Sequence, residues 1–303
     1  TSDRHGSAVP LPGIEESIAS KIAAISLVPV VTGFLGKSPG GDITTLGRSG
    51  SDFTASIIGA AVQAREVQIW TDVDGVMTCD PTVDPSAQSL PVLTFDEASE
   101  LAYYGAQVLH PSTLVPAIQK HIPVRVLNTS RPDGTGTKIV AEPVHGDRIA
   151  KSVVYKENVC MLGIASPRLM GAVEVLTGAF QCLRDHQVGI HMATTSEASV
   201  SLVTDRTYGA DVLGAAVQDL KKLGAVDVHE NMTIICVVGE ELRGRAGVAG
   251  RIFESVERRG IKPRMISQSC SEINVAFLVT DDELEPAVRA LHSMLLSSGA
   301  NGP

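Results

Sequence analysis

The stretch TTLGRSGSDFTA, residues 44–55, sets one arginine and one aspartate among glycines and hydroxyl side chains, just before small apolar residues with helical spacing. Arg48 offers a planar fork suited to bidentate contact with a carboxylate. The amino end of the following helix presents unpaired N–H groups and partial positive charge, which suits a phosphate or a carboxylate. Gly47 and Gly50 let backbone approach a ligand closely. Asp52 stands where an acidic group can position a donor or nucleophile in phosphoryl transfer. The same residues also fit a plain helix start, with Ser51 or Asp52 as the cap and Arg48 solvated.

Two further stretches follow apolar, β-branched runs. WTDVDGVMTCDP, residues 70–81, comes after EVQIW, so it lies beyond the carboxyl end of an expected strand, where α/β sheets bind ligands. Thr71, Asp72, Asp74 and Gly75 could contact a nucleotide through short side chains and exposed backbone, although D-V-D-G is also good turn chemistry. VVTGFLGK places Gly33 and Gly36 after a second such run, with Lys37 as a possible charge. There is no G-x-x-x-x-G-K-[ST], and no G-x-S-x-G. His110 and His121 lack partners at metal spacing, so no metal site is expected. Three polar loops at strand ends favour a nucleotide or phosphate site.

The elements that would position these loops alternate. IEESIASKIAAI has helical periodicity, LVPVVTGFLG is expected to form a buried strand, and SDFTASIIGAAVQA a helix of small residues. EVQIW and PVRVLN are strands, and TFDEASELAYYG is a helix opened by a capping box, Thr94 with Glu97, and closed at Gly105. This alternation predicts an α/β layer with a mostly parallel sheet. Gly134, Gly136 and AEPVHGD mark a boundary. Beyond it, MGAVEVLTGAFQCLRDHQVGI and AGVAGRIFESVERRGIKP repeat one helix–strand pattern, and SEASVSLVTD matches SEINVAFLVTD. Val173, Leu176, Phe180 and Leu183 are expected on one buried helical face, as are Val248, Ile252 and Val256. The run ERRG, residues 257–260, fits a charged last turn before Gly260. A pair of small α+β modules follows.

The 303 residues suffice for two or three compact units. With 44% hydrophobic and 19% charged residues the composition is that of a globular protein. A net charge of −9 argues against a nucleic-acid partner, and no apolar run has the length of a membrane span. Five scattered cysteines without C-x-x-C spacing favour free thiols over disulfides or zinc.

TTLGRSGSDFTA, QIWTDVDGVMTCDP, EASELAYYGAQVLHP and PVRVLNTSRPDGTGTKI together resemble aspartokinase, within the amino-acid kinase superfamily, and the repeats resemble its paired ACT domains. VTGFLGK and GAQVLHP are most similar to the monofunctional, lysine-sensitive plant and algal type. The fold implied is the carboxyl-terminal part of an amino-acid kinase domain (1–142), followed by two ferredoxin-like α+β ACT domains. The first ACT domain would span 159–222, and the second 149–158 with 223–298. The family's opening K-F-G-G strand is absent from these residues, so the chain is expected to be inert alone.

The resemblance implies ATP-dependent phosphorylation of the L-aspartate side-chain carboxylate, with ATP and Mg as co-substrate. Arg48 and Ser51 would bind aspartate, and Asp52 would organise transfer. Thr71, Asp72, Met77, Gln107 and Val108 would surround the nucleotide. Met77 stands where a tyrosine is common, Thr82 where an arginine follows D-P, and Gln107 where bacterial enzymes carry lysine. The first ACT unit would bind lysine, or another amino-acid effector, through Met161, Ser166, Thr195, Ser196 and Glu197. His191 replaces an aspartate there, which is expected to weaken lysine inhibition. Homo-oligomerisation through the ACT units and a chloroplast location are implied in the same way, a cytoplasmic one being the alternative. The other outcome weighed is a silent amino-acid sensor.

Overall fold

A computed structural model describes residues 1–106, 110–144, 146, 148–165, 172–197, 199–206 and 209–297. The chain divides into two compact units, Thr1–Ser152 with Gly239–Glu241, and Val153–Val238 with Leu242–Pro303. No helix among the described residues is long and apolar enough to cross a membrane.

In the first unit, helix α1 (Ile14–Ala23) precedes a short antiparallel hairpin, β1 (Leu35–Lys37) and β2 (Ile43–Thr45). Helix α2 (Gly50–Ala61) leads into β3 (Val67–Thr71). Then come β4 (Val92–Thr94), α3 (Phe95–Tyr103), α4 (Pro111–Gln119), β5 (Val124–Asn128) and β6 (Thr137–Val140). The sheet order is β3-β5-β6-β4, with β3/β5 and β4/β6 parallel and β5/β6 antiparallel. The sheet is therefore mixed, two of its three pairings being parallel. Small residues let α2 pack closely: the buried Ser56 hydroxyl accepts the Ala117 N–H of α4 at 3.2 Å.

One expected element is missing. The run LVPVV forms no strand, and Leu27, Val28 and Val30 are 80%, 89% and 98% exposed. A strand forms only against a neighbouring strand, and none among the described residues lies beside this run; pairing begins at Leu35. The capping box, in contrast, forms as expected. Thr94 Oγ1 accepts the Glu97 N–H at 3.0 Å, and Glu97 Oε2 accepts the Thr94 N–H at 2.8 Å.

The second unit holds β7 (Ser152–Ala165), α5 (Ala172–Asp185), β8 (Met192–Thr195), β9 (Ser199–Asp205), α6 (Gly209–Leu220) and β10 (Ala225–Val238). It continues through α7 (Val248–Glu257), β11 (Met265–Ser267), β12 (Asn274–Thr280) and α8 (Leu284–Ser297). One sheet, ordered β11-β12-β10-β7-β9-β8, carries both repeats. Its two central strands are 14 residues each, and each serves both repeats. Residues 159–165 of β7 pair with β9, and residues 232–238 of β10 pair with β12.

Val248, Ile252 and Val256 are buried as expected. The α5 face is the expected one only in part, with Leu183 buried and Leu176 packed against the core. Val175, Ala179 and Leu183 enter the core, while Val173 and Phe180 are 73% and 41% exposed. A spacing of i, i+4, i+8 was available beside the chosen one, and sheet contact selected it. The run at 257–260 straddles the helix end: Glu257 closes α7, Arg258 caps it with its N–H on the Glu254 carbonyl, and Gly260 is left-handed.

Candidate functional site

Ser49 adopts a left-handed conformation (φ 53°), so α2 starts at Gly50 and Ser51 and Asp52 fall in its first turn. Neither caps the helix, and Ser49, in the cap position, makes no side-chain cap bond. The first-turn N–H groups of Ser51 and Asp52 find no acceptor among the described residues. Phe34 ties the hairpin to this helix end: its N–H donates to Thr54 Oγ1 at 3.0 Å, and its carbonyl accepts the Leu46 N–H at 2.9 Å. A Cβ on Gly33 would come within 2.9 Å of Ser51 Cα, and one on Gly50 within 2.7 Å of the Phe34 ring. The first contact is with backbone, so position 33 requires glycine, whereas at position 50 the Phe34 ring would have to shift.

Arg48 is exposed and makes no hydrogen bond or ion pair among the described residues. Asp52 is half-buried, and burial pushes its carboxyl above the usual carboxylate value. The result is an uncommitted guanidinium, a partly desolvated carboxyl and unpaired backbone donors in five successive residues. Such a corner can hold a small dicarboxylate or a phosphoryl group. Lys37 ends β1 in the same hairpin.

A second cluster forms where parallel strands β3 and β5 end, with Thr71 opposite Asn128. The Thr71 carbonyl accepts the Thr129 N–H at 2.8 Å and the Thr129 hydroxyl at 2.9 Å. The Thr71 hydroxyl donates to Asp72 Oδ1 at 3.0 Å. Asn128, only 8% exposed, donates to Asp74 Oδ1 at 2.6 Å and to the Asp72 carbonyl at 3.4 Å. Arg131 pairs with Asp74 from the same loop. Asn128 and Arg131 fix the 72–74 loop and were not singled out from sequence. The signal was the last residue of PVRVLN, which becomes meaningful only once β5 is known to lie beside β3.

Met77 is half-buried; its carbonyl accepts the Ser152 hydroxyl at 2.9 Å, and its backbone bridges to Ser89. Thr82 is used locally, its N–H and hydroxyl donating to Asp80 Oδ1 at 2.8 and 2.6 Å. Gln107 and Val108 lie outside the described residues. The described hydrogen bonds do not join the Arg48 corner to the Thr71 edge.

In the second unit Met161 lies on β7, opposite Val203. Thr195, Ser196 and Glu197 are exposed at the β8–β9 turn, which is closed by Ser196 N–H donating to the Ser199 carbonyl at 2.8 Å. Ser166 lies outside the described residues. The His191 ring sits 2.9 Å from Asp205 Oδ1, and Lys156 Nζ is 3.5 Å from the same oxygen. Burial lowers the His191 pKa, and Asp205 offsets this only in part.

Residues 12–128 match the amino acid kinase family, and residues 235–295 match an ACT domain. Aspartokinase 2, chloroplastic, of Arabidopsis thaliana is 41% identical over 93% of this chain and 53% of its own length. The chain thus spans about half the length of the curated plant relatives it matches. A crystal structure of aspartate kinase from Clostridium acetobutylicum superposes with a TM-score of 0.87 at 29% identity, covering 93% of this chain and 66% of that one. E. coli aspartokinase III in complex with aspartate and ADP superposes at 0.79 with 34% identity, covering 98% and 67%. The same E. coli protein with lysine and aspartate gives 0.80 at 34% identity, covering 97% and 67%.

Proposed function

The chain belongs to the aspartokinase family, and from that premise we propose that it supplies part of an ATP-dependent aspartate kinase together with its regulatory module. In the reaction, an oxygen of the aspartate side-chain carboxylate attacks the γ-phosphorus of ATP. The bond from that phosphorus to the β–γ bridging oxygen breaks, and ADP leaves with 4-phospho-L-aspartate formed. Arg48 and Ser51 hold the aspartate, and Asp52 positions the reacting groups. Thr71, Asp72 and Met77, with Gln107 and Val108, border the nucleotide, which enters with Mg. Magnesium bound with the nucleotide would supply charge neutralisation for the transferring phosphoryl group.

The observation that carries this reading is the uncommitted Arg48 guanidinium beside the unpaired N–H groups of the α2 first turn. The test is steady-state kinetics of the polypeptide containing this chain plus the additional length its relatives possess. Arg48→Ala should raise the KM for aspartate, by roughly 2–5 kcal/mol where the bound substrate buries the guanidinium, with ATP binding little changed. Asp52→Ala should lower kcat more than it raises that KM. Unchanged aspartate kinetics in the Arg48 variant would remove the assignment.

The second unit serves feedback regulation by lysine or a related amino acid, with Met161, Ser166, Thr195, Ser196 and Glu197 at the effector. His191 in place of an acidic residue weakens lysine binding, because its ring is turned to Asp205 and offers no carboxylate to an ammonium group. A plastid location follows the plant relatives, which are named chloroplastic, and self-association through this unit is part of the same proposal. A second reading, a chain that senses amino acids without catalysing, is favoured by the uncovered run at Leu27–Val31 in the first unit.

A further inference from the structure

Cys182 lies in the last turn of α5, and His186 follows one turn later, its N–H still bonded to the Cys182 carbonyl at 3.1 Å. The i, i+4 spacing puts both on one face. That face meets α6, where the Cys182 thiol donates to the Ala216 carbonyl at 3.6 Å and His186 Nε2 lies 2.9 Å from Asp219 Oδ2. The thiol sulfur, an imidazole nitrogen and a carboxylate oxygen all lie within 4.8 Å of one another. We propose that Cys182, His186 and Asp219 form a binding site for a divalent transition metal of the zinc type, clamping α5 to α6.

The donor set matches the ion's chemistry. A borderline-soft cation takes thiolate, imidazole and carboxylate together, whereas magnesium or calcium would want oxygens alone. Tetrahedral ligation separates donor pairs by roughly 3.3–3.7 Å, a spacing side-chain rotation reaches from the present one. His186 and Asp219 keep side-chain exposures of 24% and 44%, so an ion can enter from solvent and water can take the fourth position. Binding replaces the S–H bond of Cys182 by a sulfur–metal bond, with the proton released to solvent. Lys222 opposes the ion: its ammonium holds Asp219 Oδ1 at 2.7 Å, leaving Oδ2 for the metal. The pattern was invisible in the sequence because Asp219 is 33 residues beyond His186 and only helix packing joins them.

The full chain carrying Cys270→Ser, which removes the exposed thiol, is titrated with Co²⁺ and then Zn²⁺. A sulfur-to-cobalt charge-transfer band with the intense visible bands of tetrahedral cobalt is expected, at one ion per chain and displaced by Zn²⁺. Zn²⁺ should also raise the melting temperature. Cys182→Ser should abolish the charge-transfer band, and His186→Gln should weaken Zn²⁺ binding by at least about tenfold. Lys222→Ala, which leaves all three proposed ligands in place and removes the cation bonded to Asp219, should bind Zn²⁺ more tightly. Absence of the band, its persistence in Cys182→Ser, or unchanged affinity in either His186→Gln or Lys222→Ala would overturn the site.

Discussion

His191 is the residue where burial and charge pull against each other. Desolvation disfavours its protonated form, the Asp205 carboxylate favours it, and Lys156 opposes it, with burial dominant. The folded pKa therefore lies below the unfolded value of about 6.5, so the unfolded chain binds more protons as pH falls. The contribution of a neutral His191 is complete above that value and is lost on acidification through it. Urea unfolding of the second unit at pH 7.5 and 5.5 should show a steeper loss than in His191→Asn, by less than about 1.4 kcal/mol per pH unit. Equal losses would remove the idea. The Arg48 corner was legible in the sequence because the groups it brings together lie within five successive residues. Asn128 was not, because its bonds to Asp72 and Asp74 depend on which strand lies beside β5.

At the scale of elements, the α3 capping box shows how local code acquires tertiary work. T-x-x-E predicted the helix start, yet the sequence could not reveal that Glu97 is fully buried. Its Oε2 also accepts Lys151 Nζ at 3.0 Å, and its Oε1 accepts the Glu240 N–H at 2.8 Å. One carboxylate thus joins α3 to two distant segments of the first unit. Glu97→Ala should cost about 3–5 kcal/mol in urea unfolding, against about 1 for an ordinary cap, because Lys151 is left unpaired and largely buried. A loss near 1 kcal/mol would mean the tertiary bonds contribute little. The repeats were equally legible, but not their shared strands. Since β7 and β10 belong to both repeats, the second unit should unfold as one. Leu162→Ala in the first repeat should cost about 2–5 kcal/mol and lower hydrogen-exchange protection at Phe277 in the second by the same amount. Protection lost only around Leu162 would show two independent modules.

For the whole molecule, the decisive contrast lies between a second unit whose central strands are buried and a first unit with an uncovered apolar run. Leu162, Leu202, Ile234 and Phe277 are fully buried, whereas Leu27, Val28 and Val30 are 80%, 89% and 98% exposed. Sequence predicted LVPVV as buried because β-branched composition reports what a strand wants, and it says nothing about whether a neighbour is present. Each of these side chains forgoes roughly 1.5–3 kcal/mol of burial. Three of them together approach the net stability of a typical domain, about 5–15 kcal/mol. The exposed run should therefore bind an environment-sensitive apolar dye. Val28→Ser with Val30→Ser should reduce the dye signal while leaving the melting of the second unit unchanged. Dye binding that survives the double substitution would place the exposed apolar surface elsewhere.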